Sequence, residues 1–355
     1  NTQPISVGGQ ALIEGIMMKS PEKTAMAVRT PDKKIDIEYI EEKHIKDKFP
    51  FLGWPIIRGI ISFIESMILG YKTLMISADK SGMSDLEEAE DLEKKRIKAE
   101  KKRAKLIAKG KLPASAAETP VELPENDSKS DNFLITAVMV IGVVLGVALA
   151  LFLFMWLPTV VFNGINFLTG NNLPNSLRPL IEGVLKISIF VGYVALVSLT
   201  KDIKRVFMYH GAEHKTIFCL ENEQELTVEN VRKQSRFHPR CGTSFMILML
   251  VVGILINLII VTVFPSITKL TLVWVLIKIL MVPFICGVGY ELIKICGKYD
   301  NKITRIISAP GMWVQRLTTK EPDDDMIEIA IAAIEAVLPE DPEKLQSDGC
   351  CPDLQ

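Results

Sequence analysis

Apolar residues run in four long stretches, 133–157, 180–200, 244–264 and 271–293, each close to the roughly 20 residues that carry a helix across a bilayer. A fifth stretch, 51–78, is mostly apolar but carries Arg58, Glu65 and Lys72 and is interrupted by Pro55, Gly59 and Gly70. It reads as an interfacial or re-entrant helix rather than a span. Near the start the period changes. Residues 24–29 and 35–39 read as strands flanking Thr30-Pro31-Asp32-Lys33-Lys34, a hairpin turn, so a small β-containing lobe is expected. Gly8-Gly9 and Gly15 break the first strand pattern, which points to a bulge or to close approach by another element or a ligand. Residues 323–338 return to helical spacing. Asp323, Asp324 and Asp325 lead, and Met326, Ile329, Ala330, Ala333, Ile334 and Val337 form an apolar stripe that should dock on the β lobe.

Charge refines this outline. An acidic block from Asp85 to Glu93 runs into a basic one that includes Lys94, Lys95, Arg96, Lys101, Lys102 and Arg103. That order suits a helix dipole, and the scarcity of apolar residues makes it a solvated helix whose basic end faces water, anionic lipid or RNA. A tether rich in Pro, Ala, Ser and Glu follows and is expected to be disordered. Lys and Arg crowd the first 132 residues, 201–243 and the tail, whereas 158–179 holds only Arg178 and 265–270 only Lys269. By the positive-inside rule both termini are cytoplasmic, and with polar first 50 residues no signal peptide is expected. Six cysteines in a reducing compartment suggest thiols or ligands rather than disulfides.

The expected fold is therefore mainly α and integral to the membrane, with about four transmembrane helices, an interfacial or re-entrant helix and a small cytoplasmic α+β region. Its parts are a lobe (1–50), the interfacial or re-entrant helix (51–78), a charged helix (79–111), a tether (112–132), a transmembrane hairpin (133–200), a cytoplasmic loop (201–243), a second hairpin (244–293) and a C-terminal region with an amphipathic helix (294–355).

Three of the four histidines fall in that cytoplasmic loop. His210 and His214 share one face of a helix, and His238-Pro239-Arg240-Cys241-Gly242 has the two-residue spacer of a zinc knuckle. Two readings stand. His210-x-x-Glu213-His214 has the order of an inverted zinc-hydrolase motif, with Glu213 as general base and His238, Cys241, Glu291 or another nearby carboxylate completing the sphere around an open position. Alternatively His210, His214, His238 and Cys241 close a structural tetrahedron and leave no water to activate. Zinc is the expected ion in either case. Histidines that only hydrogen-bond at a membrane interface are the plainer alternative, and Cys219 reads as a small buried apolar residue.

Polar residues also stand inside the apolar stretches. Glu182 and Lys186 are four apart and suited to pair, and Lys186, Asn257 and Lys278 lie at a similar depth, about 10 Å in at 1.5 Å per residue. They are expected to form one polar cluster, unless the two lysines snorkel to the headgroups.

The strings Gly8-Gly9-Gln10-Ala11-Leu12-Ile13-Glu14-Gly15-Ile16-Met17-Met18, His210-Gly211-Ala212-Glu213-His214-Lys215-Thr216, His238-Pro239-Arg240-Cys241-Gly242-Thr243-Ser244-Phe245 and Pro310-Gly311-Met312-Trp313 resemble the bacterial YqhQ-like membrane family over nearly the whole chain. That family is of unknown function, often labelled a metal-dependent enzyme on its motifs, and the resemblance carries no catalytic residues with it. Two functions follow as expectations. One is a zinc hydrolase of the bacterial cytoplasmic membrane, acting on a lipid or peptide at the inner surface. The other is a zinc-braced platform that contacts membrane lipids, a ribosome or a translocon. No specific DNA binding is expected, and the sequence sets no oligomeric state.

Overall fold

Apolar side chains alternating with period two divide between the faces of a four-stranded antiparallel meander. Its strands are β1 (Gly8–Leu12), β2 (Gly15–Lys19), β3 (Thr24–Arg29) and β4 (Ile35–Tyr39), in the order β1-β2-β3-β4. Glu14, at φ 50°, turns the first hairpin. The ladder of β1 on β2 is regular, with Gly9 opposite Met18 and Leu12 opposite Gly15. Gly8-Gly9 is therefore no bulge, and at Gly9, though not at Gly8, the strand is closely approached by another element.

The computed structural model describes residues 7–41, 54–83, 93, 97, 100, 101 and 128–339 apart from 240 and 300, with no side chain described at 128–136, 138, 139, 297 or 298. Lys94, Lys95, Arg96, Lys102, Arg103, Arg240 and residues 112–127 of the tether lie outside the described residues, Lys101 is exposed, and 128–132, the end of the expected tether, are helical instead.

One sheet face, with Ile16, Met18, Ala25 and Ala27, is covered by α5 (Lys201–Glu221) and α10 (Asp324–Val337). Helix α10 buries Met326, Ile329, Ala330, Ala333, Ile334 and Val337 there. The other face, with Leu12, Met17, Met26 and Val28, meets Leu69, Leu74 and Ile76 of α1 (Ile57–Lys80). The lobe thus has three layers, helices, sheet and helix. Residues 201–243 are no open loop: α5 and the short α6 (Val228–Lys233) occupy most of them.

Among the described residues five helical stretches, and not four, are long and apolar enough to cross a membrane: Ile57–Lys80, Val140–Leu168, Leu177–Val197, Gly242–Val263 and Thr271–Cys296. The additional one is α1, whose helix runs unbroken through Gly59 and Gly70 because both are packed against neighbouring side chains. The first long stretch also continues past the expected end at residue 157. Helix α2 (Ser128–Leu151) passes through a π-helical turn (Phe152–Trp156) into α3 (Leu157–Leu168). Pro158 brings no N–H, and the wider turn before it lets the helix continue.

Helix α4 (Leu177–Val197) packs on α3 and on α7 (Gly242–Val263), and α7 packs on α8 (Thr271–Lys298). Helix α9 (Lys302–Thr318) starts with a capping box of Asn301 and Thr304 and lies along α7. Its last turns bring Gln315 and Thr318 to the start of α7. There the lobe and the apolar helices meet.

Candidate metal centre

Helix α5 presents His210 and His214 one turn apart, with ring centroids 4.4 Å from each other. Facing them is Cys241, the N-cap of α7, whose sulfur accepts from Thr243 N at 3.4 Å and lies 3.1 Å from Thr243 Oγ1. His210 Nε2 is 3.2 Å from Cys241 Sγ. One donor atom from each of the three residues lies within 4.8 Å of the other two.

Both imidazoles are oriented from behind. His210 Nδ1 is 2.9 Å from Thr318 O, and His214 Nδ1 is 2.6 Å from Arg236 O. A carbonyl only accepts, so each Nδ1 carries a proton, and Nε2 is the nitrogen left to face the sulfur, as a donor when it too is protonated and as a lone pair when it is not. This is how outer-shell partners set metal-binding histidines. Electrostatics favours the ligand form of the sulfur. Burial raises the Cys241 thiol, but the charges and hydrogen bonds of His210 and His214 pull it well below its ordinary value, towards thiolate. Burial disfavours charge on His210, yet the Cys241 sulfur, Glu213 and the Thr318 carbonyl together push it up to about 9, so without an ion His210 pairs with the sulfur as an imidazolium, and an ion would displace its Nε2 proton. Two nitrogens and one thiolate form a donor set suited to zinc.

Glu213 is buried beside this trio and points towards β1. A β-carbon at Gly9 would lie 2.9 Å from Glu213 Cγ and Cδ. Its Oε2 has no hydrogen-bond partner among the described residues, and burial raises its carboxyl against the opposing pull of His210 and His214.

The remaining sequence candidates stand elsewhere. His238 is buried, with Nε2 3.2 Å from Glu221 Oε2 and its backbone N–H donated to Gln315 Oε1 at 2.8 Å. Its ring centroid is 5.7 Å from that of His214, but it is not among the three described residues whose donor atoms lie within 4.8 Å of one another. Glu291 pairs with Arg58, which donates from Nε at 2.7 Å. Cys219 is buried, with its sulfur 3.5 Å from Glu225 O. The orienting groups that sequence reasoning missed are Gln315 and the carbonyls of Thr318 and Arg236. A carbonyl has no side-chain signature, and Gln315 is 77 residues from His238.

The polar set within the long apolar helices resolves differently from its spacing. Glu182 pairs with Lys278, Nζ to Oε2 at 3.0 Å, and accepts from Trp274 Nε1 at 3.1 Å. Lys278 also donates to Thr159 Oγ1 at 2.5 Å and to Met155 O, in the π-helical turn, at 3.1 Å. No ion pair joins Lys186 to Glu182 among the described residues. Lys278 wins because Thr159 Oγ1 and Met155 O complete the partners of its ammonium while Trp274 Nε1 donates to the carboxylate, as a buried ion pair requires. Asn257 is buried with Oδ1 unpartnered among the described residues.

Residues 54–340 match the family described as "Protein of unknown function (DUF1385)". The chain is 33% identical over 347 residues to "Uncharacterized protein YqhQ" of Bacillus subtilis (strain 168), covering 94% of this chain and 93% of that protein. No solved structure matches.

Proposed function

The chain belongs to the DUF1385 family of proteins of unknown function, and from its own site we propose a multi-pass membrane protein with a zinc centre, hydrolysing a lipid or peptide at the cytoplasmic membrane surface. The observation that carries this reading is the pair of backbone carbonyls, Thr318 O and Arg236 O, that turn both histidine Nε2 atoms towards the Cys241 sulfur. Both Nε2 atoms converge on one buried sulfur held towards thiolate, and an ion that displaces any Nε2 proton would find three donors already gathered around it. His210, His214 and Cys241 would hold the ion, which supplies a Lewis acid and a water of lowered pKa. Three donors rather than four favour an open position. Glu213, buried and without a partner for Oε2, is the group placed to take and return a proton. The concentration of Lys and Arg in 1–132, 201–243 and beyond 293 supports a cytoplasmic site and cytoplasmic termini under the positive-inside rule.

A second reading has its own support. The three donors come from α5 in the lobe and from the cap of α7, so an ion would also brace the lobe to the membrane helices. A protein so braced would be a platform without chemistry, with the basic segment around Lys94 to Arg103 reaching a ribosome, a translocon or anionic lipid.

The test is zinc stoichiometry with X-ray absorption on the purified protein, followed by turnover of fluorogenic peptides and phospholipid esters by wild type and Glu213→Gln. One sulfur, two imidazoles and an exchangeable oxygen, with zinc retained but turnover lost in Glu213→Gln, supports the hydrolase. A fourth protein ligand and no effect of Glu213→Gln would leave only the brace. Absence of bound metal would sink both.

A further inference from the structure

Helix α1 wears its apolar residues outward. Ile64, Met67, Ile68, Tyr71 and Met75 are exposed, at spacings that put them on one stripe. The opposite face, buried against the protein, carries Gly59, Ser62, Gly70, Thr73 and Ser77. In water this pattern would be inside out.

The contacts of α1 decide what the stripe faces. At its start, Arg58 pairs with Glu291, Gly59 packs on Tyr290, and the rings of Phe63 and Phe245 are 6.0 Å apart. Glu291 stands about 30 Å along α8 from Thr271 at 1.5 Å per residue, one hydrocarbon thickness. Phe245 is in the first turn of α7 and packs on Gly289 of α8, at the same end. From residue 58 to 63, then, α1 stays level with one end of the bundle.

Its far end is clamped to the lobe. Ser77 Oγ accepts from Ile13 N at 3.3 Å, Lys80 Nζ lies 2.6 Å from both Asp36 and Glu38, and Gly70 lets Gln10 approach. The sheet's other face carries α5, whose His210 meets the cap of α7. Both ends of α1 are therefore held on the side where α7 begins and α8 ends. A helix of 24 residues crossing the membrane would put Ser77 and Lys80 about 30 Å away, beyond reach of these partners.

We propose that α1 lies along the membrane surface instead of crossing it, with Ile64, Met67, Ile68, Tyr71 and Met75 inserted at the boundary of headgroups and acyl chains. The occupant of the stripe is lipid, because α1 starts against the ends of two apolar helices long enough to cross a bilayer. Trp54 is exposed just before the helix, and Lys72 is exposed at the edge of the stripe, where an ammonium meets lipid phosphate. Strand β1 links this surface to the metal centre: Gly9 touches Glu213 and the next residue, Gln10, touches α1. The helix sets the height of the site above the bilayer.

The experiment places a nitroxide amino acid singly at positions 61, 64, 68, 71, 75 and 79 of the full chain in phosphatidylethanolamine/phosphatidylglycerol nanodiscs and compares collision with oxygen and with a water-soluble nickel chelate. The expected result is one shallow depth shared by 64, 68, 71 and 75, with oxygen collisions favoured several-fold, and nickel access at 79. Depth that passes through the midplane along 61–79 would make α1 a span and overturn the proposal. Nickel access at every position, or exclusion of both reagents, would overturn it too, by showing water or protein on the stripe. If a labelled variant fails to fold, Tyr71→Trp quenched by brominated lipids gives the same answer. Shallow bromines should quench it more strongly than deep ones, and the reverse order, or no quenching, sinks the idea.

Discussion

Gly9 of β1 and Glu213 of α5 are in contact, and a side chain at position 9 would occupy the space of the glutamate's carboxyl group. The absence of a β-carbon on the strand is what admits a buried carboxyl next to the histidine and cysteine trio. Gly9→Ala would also press on Met18 Sδ, at 2.8 Å, but a thioether end can move. The substitution is expected to cost about 1–3 kcal/mol by overpacking. Most of that cost should vanish in a Glu213→Ala background, as measured by thermal melting of the four combinations. Equal costs in both backgrounds would mean that the clash is not with Glu213.

Metal content distinguishes the ligands from their neighbours. His210→Ala, His214→Ala and Cys241→Ala should each lower bound zinc strongly, whereas His238→Ala should retain it, because His238 Nε2 is directed to Glu221. Elemental analysis of purified variants reads this directly. Loss of zinc in His238→Ala equal to that in Cys241→Ala would restore the four-ligand brace.

Lys278→Met removes the partner of a buried carboxylate and should destabilise the detergent-solubilised protein by about 3–5 kcal/mol. The double change Glu182→Leu with Lys278→Met should recover most of that loss. A double variant no more stable than Lys278→Met alone would show that the pair itself, and not the orphaned charge, matters.

The hairpin residue Glu14 supplies a pH dependence outside the candidate metal centre. Burial raises its carboxyl, but the hydrogen bonds and charge of Arg205, with Tyr209 OH at 3.1 Å, outweigh burial and hold it below the ordinary 4.5. A depressed carboxylate stabilises the fold fully above that ordinary value, and the contribution is lost as pH falls through the lower folded value. The melting difference between wild type and Glu14→Gln should therefore be flat from neutral pH down to about 4.5 and shrink below it. A difference that grows on acidification would contradict the assignment.

Much of the architecture could be read from periodicity. Apolar runs mark the helices at 177–197, 242–263 and 271–296, alternation marks β3 and β4, and the stripe after Asp323 marks α10. Helical spacing also put His210 and His214 on one face. These are local properties, set by backbone geometry that repeats within a few residues.

What the tertiary structure alone decided is which groups meet. Glu182 and Lys186 are spaced to pair, yet Glu182 takes Lys278, because Trp274, Thr159 and the Met155 carbonyl converge at that point. His238 has the spacing of a zinc ligand beside Cys241, yet its ring turns to Glu221, while the carbonyl of Thr318, 108 residues from His210, orients that imidazole. Gly9 could be read as a break in a strand, but only the packed helix shows that Glu213 needs the gap. Spacing constrains neighbours along one element. Partner choice between distant elements depends on which buried polar atoms can be satisfied together, and that is settled only when the layers close.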